Sequence, residues 1–378
     1  MKRMRKPISL LLILCLLGGV MLLSGCGKAK AKDLTDCAVI HEPEFGGVYI
    51  TTTIDDFNAL GYQYGDSVDI TFSNGYTLTD QPYYNGFYTQ NGESLLLAYP
   101  GYDYIKAHIN SGGDLWEGAG LSEGDTATVT LRERGKYLDI QNARDIHYTD
   151  AREDYDSDEI FANFRAVSVT GMAPDTLYRS ASPCDNQHNR ATFVDALIEA
   201  ASVRCILNLS DNDEKIAGYL ADESFDTPYF RSLYEAGNVI PIALNMNFAS
   251  PEFQQKLAGG LIALSQQEGP YLVHCTEGKD RTGFVCMLLE ALCGASYEEI
   301  VADYMATYDN YYGITKKDDA ARYDVIVEQM LCPMVQLIVP EGADIATADL
   351  KSGAEAFLRS AGMTDAQIAA LEARLTGG

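Results

Sequence analysis

The sequence predicts two parts. A small, mostly-β barrel or sandwich should occupy residues 37–150, and an α/β domain with a mainly parallel sheet flanked by helices should occupy residues 161–378. Three observations carry this reading. Between residues 37 and 150, short runs of alternating apolar residues are separated by Gly-Asp and Asn-Gly turns. After residue 160 the texture changes to short apolar strands alternating with amphipathic helices. Between the two lies AREDYDSDE, Ala151 to Glu159, an acidic polar stretch that reads as a linker over residues 151–160.

The 378-residue chain opens with basic MKRMRK and apolar ISLLLILCLLGGVML, followed by LSGC. That order is the signature of an export signal over residues 1–25. Leu23, Ser24 and Gly25 before Cys26 resemble a bacterial lipobox, which implies cleavage before Cys26, a lipid on its thiol, and attachment to the membrane on its extracytoplasmic side. Residues 26–36, beginning GKAKAKD after the cysteine, then read as a hydrophilic tether. The formal charge is −26, and removing Lys2, Arg3, Arg5 and Lys6 with the signal brings it near −30. Such a chain is a poor partner for nucleic acid, whose phosphates need a basic face. Any anionic ligand must be drawn by a local site against the overall field. Nine Cys occur without CxxC spacing, so neither a disulfide scaffold nor a zinc site is indicated, and no metal or other cofactor is expected. The oligomeric state is not legible.

In the first part, GDSVDITFSNGYTL places Val68, Ile70 and Phe72 in alternation before Asn74-Gly75, a hairpin signal. GLSEGDTATVTLRERGKYLDI repeats the scheme with Ala127, Val129 and Leu131, and Gly135 is expected to precede another short strand. No long helix is predicted there. The tyrosines of QPYYNGFY read as core or cross-strand residues, with an exposed binding face as the alternative. In the second part, RATFVDALIEAAS is an amphipathic helix and VRCILNLS a strand. SPEFQQKLAGGLIALSQQEG is a helix capped by Ser250. Ser296…Glu299 and Thr364…Gln367 are capping boxes that open two further helices. Cys286 and Cys293 fall on an apolar helical face and read as structural thiols.

Chemistry concentrates in VHCTEGKDRTGF, Val273 to Phe284, between the apolar run PYLV and the helical FVCMLLEAL. A glycine-bearing loop that leaves a strand and enters a helix directs main-chain N–H groups into one concavity, to which the helix dipole adds positive potential. Gly278 permits the turn. Arg281, in the first helical turn, can hold two oxygens of a phosphate with its planar fork. A thiol over such a cradle should be a thiolate at neutral pH and an in-line nucleophile toward a phosphoryl group. His274 should order the loop, and Thr282 can donate its hydroxyl to the sulfur as it leaves. A chance H-C-x2-G-x2-R-[ST] run is expected on the order of 10⁻⁴ per chain of this length.

HCTEGKDRTG resembles the C-x5-R phosphate loop of tyrosine, dual-specificity and lipid phosphatases, and its Lys-Asp-Arg-Thr form most resembles the atypical bacterial protein tyrosine phosphatases. NFRAV (Asn163 to Val167), LYRSASP (Leu177 to Pro183) and ILNLSDNDE extend the resemblance from Phe161 to about Tyr312; residues 37–150 lie outside it. The resemblance implies an α/β cysteine-phosphatase fold, Cys275 as nucleophile, Arg281 as clamp, and a cradle built by Thr276, Glu277, Gly278, Lys279 and Asp280. It implies Lys279 as a contact for highly anionic groups and Asp280 as general acid; Asp211 and Asp213 are the rivals for that role. Arg165 and Arg179 are candidate secondary anion ligands, or else are tied to carbonyls and acidic neighbours. Asn208 and Ser210 stand where the family has Asp and Arg, so a supporting charge pair is missing. The implied substrates are phosphotyrosine or other phosphomonoesters, with phosphoinositides or inositol phosphates as the alternative. A non-catalytic surface protein that only docks phosphorylated ligands is the reading from another class.

Overall fold

Alternation in the first part becomes strands whose apolar face closes on itself. In the computed structural model, which describes residues 31–378, β1 (Leu34–Glu42), β2 (Gly47–Ile50), β3 (Ser67–Phe72), β4 (Thr77–Tyr84), β5 (Ser94–Leu97), β6 (Ile105–Ile109) and β7 (Thr126–Glu133) form a closed barrel in the order β1-β2-β6-β5-β4-β3-β7. All pairings are antiparallel except β4 with β5. The predicted residues Val68, Ile70, Phe72, Ala127 and Val129 face the interior, filled out by Phe57, Tyr62, Tyr83 and Leu96. Closure leaves no free sheet edge. The β3–β4 hairpin turns at Asn74-Gly75, where Gly75 has φ +90° and Asn74 Oδ1 accepts from Tyr76 N. Tyr83 and Tyr84 are buried, so those aromatics build the core and do not form a binding face.

Three expectations need correction or placement. The stretch after Gly135 is a helix, Leu138–Arg144, not a strand; Tyr137 N donates to Gly65 O and redirects the chain away from the barrel wall. β1 begins at Leu34, inside the span read as tether. The export signal and Cys26 lie outside the described residues. Among the described residues no helix is long and apolar enough to cross a membrane.

In the second part a five-stranded mixed sheet has the order β11-β10-β12-β9-β8, built from β8 (Arg165–Ala166), β9 (Leu177–Ser180), β10 (Cys205–Asn208), β11 (Val239–Pro241) and β12 (Tyr271–His274). Only β8 runs antiparallel. The helices read from the sequence appear as Ala191–Ala200, Pro251–Ser265 with Ser250 as N-cap, and Tyr297–Tyr312 and Asp365–Thr376, each of these two opened by its capping box. The segment 151–160 carries two short helical turns, Arg152–Asp154 and Asp158–Phe161, and just before it Asp150 pairs with Arg190 at 2.6 Å. Helix Asp280–Cys293 is buried from Thr282 to its end, because the sheet lies on one side and helix Leu350–Ser360 on another. That helix carries Cys286 and Cys293 into the core, and burial pushes both thiols up to about 12. All seven cysteines from Cys37 onward are free.

Candidate active site

β12 is flanked by β10 and β9, so the loop that follows it leaves the carboxyl end of a parallel sheet at its centre, the position where open α/β sheets bind ligands. The loop runs from Cys275 to Lys279 and enters the helix at Asp280. Gly278 has φ +69°, and a Cβ there would stand 2.3 Å from Ser180 O, so only glycine lets the loop lie against β9. Ser182 N donates to Thr276 O at 3.1 Å and pins the other side.

The main-chain N–H groups from Thr276 to Arg281 donate to no main-chain acceptor among the described residues. Buried N–H groups are almost always paired in a folded protein. A run of N–H groups without main-chain acceptors, on mostly half-buried residues around buried Cys275, makes a cradle suited to an oxyanion. Arg281 donates from Nη1 to Leu244 O at 3.1 Å and from Nη2 to Thr276 Oγ1 at 3.3 Å, while its Nε has no partner. It forms no ion pair with any described carboxylate, so its charge is left for a ligand. Thr282 is fully buried with Oγ1 unpartnered, a hydroxyl held in reserve at the helix start.

His274 is fully buried, and its Nδ1 donates to Cys275 O at 3.2 Å. Burial pulls it down to about 4, so the ring is neutral and orders the loop. Lys279 does not stand free for a substrate. Its Nζ lies 2.9 Å from Glu277 Oε2 and 3.9 Å from Asp280 Oδ2, and it reaches Tyr312 Oη at 3.4 Å. Burial alone would lower its pKa, but Asp280 and Glu277 outweigh burial and hold it well above the ordinary lysine value.

Arg165 and Arg179 are corrected from anion ligands to braces. They are paired in register across β8 and β9 and converge on Asp303: Arg165 Nε at 2.8 Å from Oδ1, and Arg179 Nη1 on Oδ2. Arg179 Nη2 also donates to Gly278 O at 3.0 Å, and Asn163 Nδ2 donates to the same oxygen at 3.2 Å. The loop's carbonyls are thereby turned outward to the scaffold, which leaves its N–H groups facing inward. Burial would raise the Asp303 carboxyl, but the two guanidinium groups outweigh it and hold it well below the usual range. Sequence reasoning missed Asp303 and gave Asn163 no role. Asp303 sits in an ordinary-looking amphipathic helix, and only the NFR and YRS arginines hinted that a shared acid was needed.

Among the proton-donor candidates, Asp280 caps the loop with Oδ1 buried and unpartnered. Asp211 is fastened by Asn208 Nδ2 at 3.1 Å and Tyr219 Oη at 3.4 Å. Asp213 is exposed and accepts from Tyr234 Oη at 3.0 Å. Asn208 does not leave a gap: its Oδ1 accepts from Ser210 N and Asp211 N, each at 3.0 Å, so a local turn stands in for the missing charge pair.

A family profile described as "Tyrosine phosphatase family" matches residues 139–377, more than half of the chain. The chain is 36% identical over 74 residues to a tyrosine-protein phosphatase of Nostoc commune, covering 20% of this chain and 24% of that protein. It is 44% identical over 46 residues to a putative tyrosine-protein phosphatase of Cupriavidus necator, covering 12% and 17%. The matched stretches thus span a quarter or less of those relatives. Among solved structures, the core catalytic domain of the PP-IP phosphatase SIW14 from S. cerevisiae aligns at 19% identity and TM-score 0.26 over 44% of this chain and 91% of that one. An uncharacterized conserved protein from Thermotoga maritima aligns at 19% identity and TM-score 0.22 over 31% and 42%.

Proposed function

The chain belongs to the tyrosine phosphatase family, and we propose that it hydrolyses phosphomonoesters on an α/β cysteine-phosphatase fold through a covalent phosphocysteine on Cys275. The phosphoryl oxygens sit on the free N–H groups of Thr276 to Arg281, and Arg281 clamps two of them. The sulfur's lone pair attacks phosphorus as the ester P–O bond breaks. Asp280 gives its proton to the departing oxygen. Water then attacks phosphorus, Asp280 takes a proton from it, and the S–P bond breaks to release inorganic phosphate while Thr282 donates to the sulfur. No metal enters these steps.

The observation that carries this reading is the row of unpaired N–H groups around one buried cysteine. The substrate class it favours is an aryl ester of the phosphotyrosine kind, because Lys279, the residue that spoke for inositol phosphates, is taken up by Glu277. We read residues 1–25 as an export signal and Cys26 as the lipid-bearing residue, which would put the enzyme outside the cytoplasmic membrane. Cys275→Ser should abolish turnover of p-nitrophenyl phosphate yet retain its binding, as measured by calorimetry. Undiminished turnover in that variant would end the proposal and leave a phosphate-docking protein as the reading.

A further inference from the structure

A cavity of about 420 Å³ opens beside Asp280 along the seam between the barrel and the α/β domain. Both parts build its walls. Phe87, Thr89 and Asn110 come from the barrel, Arg144 from the end of helix Leu138–Arg144, and Met246 and Asp280 from the α/β side. The seam is tied by Gln90 Nε2 donating to Gln329 O at 2.8 Å and Asn91 Nδ2 donating to Met246 O at 3.0 Å. Met246 belongs to the same short segment whose Leu244 carbonyl holds Arg281. The cavity is therefore flanked on one side by Asp280 and on another by the segment that positions the clamp.

Its chemistry is specific. Asp280 is the only carboxylate and Arg144 the only cation among the residues lining it. Arg144 forms no ion pair with any described residue; its guanidinium lies 5.2 Å from the Tyr88 ring, and its neighbour Asp145 is engaged by His147 at 3.0 Å. Among the described residues Arg231, Arg281 and Arg374 also lack a carboxylate partner, but each donates to a main-chain carbonyl, whereas the Arg144 side chain donates no hydrogen bond to any described residue. Two polar atoms of the lining, Thr89 Oγ1 and Asp280 Oδ1, are buried and have no hydrogen-bond partner. Unpaired buried polar atoms around an open volume are what a ligand site shows before its ligand arrives.

We infer that this cavity is the leaving-group pocket of the active site, and that the barrel, through Arg144, selects phosphomonoesters whose aromatic or apolar body carries a second negative charge. The inference rests on the phosphatase reading of the loop. The ester oxygen lies at Asp280, the organic body between Phe87 and Met246, and the second anion at Arg144. The barrel is then part of the enzyme's specificity.

The test compares phenyl phosphate with 4-carboxyphenyl phosphate on the wild-type chain and on Arg144→Gln. The wild type should prefer the carboxylated ester. Arg144→Gln should lose about tenfold in kcat/KM for it and stay within about twofold for phenyl phosphate, the loss expected of one charge-assisted contact. Asn110→Trp, which fills the cavity, should raise KM for both. Equal effects of Arg144→Gln on the two esters, or none, would overturn the pocket while leaving the phosphatase reading intact. The same pair of ligands titrated onto Cys275→Ser, with and without Arg144→Gln, reads the pocket without turnover. If the wild type turns over neither ester but this binding preference persists and depends on Arg144, the phosphatase reading falls, and with it the leaving-group role; what stands is only an anion-binding cavity at Arg144.

Discussion

In the barrel, Lys106 is fully buried beside Glu42 at 3.3 Å and ringed by Phe45, Tyr49, Phe87 and Tyr102, while in the α/β domain Arg281 is half-buried with no carboxylate at all. The contrast extends to the smaller groups. Unpartnered buried polar atoms in the barrel are scattered, at Gln81, Thr89 and His108. In the α/β domain Arg179, Glu290 and Tyr304 each carry one, but the densest run is a single stretch, at His274, Glu277, Asp280, Arg281 and Thr282, beside N–H groups that also lack acceptors. A scaffold satisfies the polar groups it buries because each failure costs about 1–3 kcal/mol. A site leaves them open because its ligand will satisfy them. Where the two parts of this molecule differ is therefore where chemistry is expected, and one open atom of the barrel, Thr89 Oγ1, lies on the seam beside Asp280.

The sharpest way to break the comparison is to change one charge in each part. Arg281→Lys keeps the charge but loses the planar fork, so kcat/KM for an aryl phosphate should fall about a thousandfold while the melting temperature hardly moves. Lys106→Met should do the reverse. It leaves Glu42 buried without its partner, which should cost about 3–5 kcal/mol of stability by urea unfolding. Turnover per folded molecule should change little. Adding Glu42→Gln should recover part of that loss. If Arg281→Lys destabilised the chain as much as Lys106→Met does, Arg281 would be a structural arginine and the contrast would be false.

Much of this was legible in the sequence, and what was not has physical causes. Strands β3, β4 and β7 followed from alternation and an Asn-Gly turn, and helices at Ser250, Ser296 and Thr364 followed from their caps, because those signals are local. The Cys275–Arg281 loop was legible because a cradle for a tetrahedral anion must be contiguous. The helix Leu138–Arg144 was read as a strand, since its neighbours Gly135 and Tyr137 look like a hairpin; the Tyr137 N to Gly65 O bond turns the chain off the barrel wall, and the helix packs against Ala320–Ile326 of the second part. Arg165 and Arg179 were left open between ligand and brace, and Lys279 was given to the ligand, because a sequence shows cations without their partners. Asp303 claims the two arginines only once β8, β9 and the helix Tyr297–Tyr312 meet in space, whereas Glu277 claims Lys279 within the loop itself, two residues away.

Gly278→Ala sharpens the comparison from the side of the backbone. The new Cβ would face Ser180 O at 2.3 Å in a left-handed conformation, and strain of about 3 kcal/mol is expected. Because β9 cannot retreat without disturbing Arg179, the loop should yield instead, so turnover should fall further than stability does. Gly75→Ala, also at positive φ but with nothing within 4 Å of its Cβ, should lower stability by about 1 kcal/mol and leave turnover unchanged. Equal ratios of lost activity to lost stability in the two variants would mean that the loop is no more exacting than a surface turn.

The smallest effect separates the two parts by pH. Each buries one histidine that sits near pKa 4 instead of 6.5. For His108 the cause is burial, with Lys106 adding and Glu42 opposing; for His274 it is burial, with Arg281 adding and Asp211 opposing. A histidine whose folded pKa is depressed is neutral in the native chain and takes up a proton on unfolding, so the unfolded state binds more protons between the two values. Its stabilising contribution is complete above about pH 6.5 and is lost as pH falls toward about 4. For fully buried His274 the loss should reach about 1 kcal/mol near pH 5.5. His108→Gln should flatten the acid side of the urea-unfolding profile without touching turnover. His274→Asn should flatten it too, and lower turnover at every pH, because the Nδ1–H that orders the Cys275 carbonyl goes with the ring. An unchanged acid slope in both variants would show that neither histidine is held neutral, and the burial argument for the loop's scaffold would fail with it.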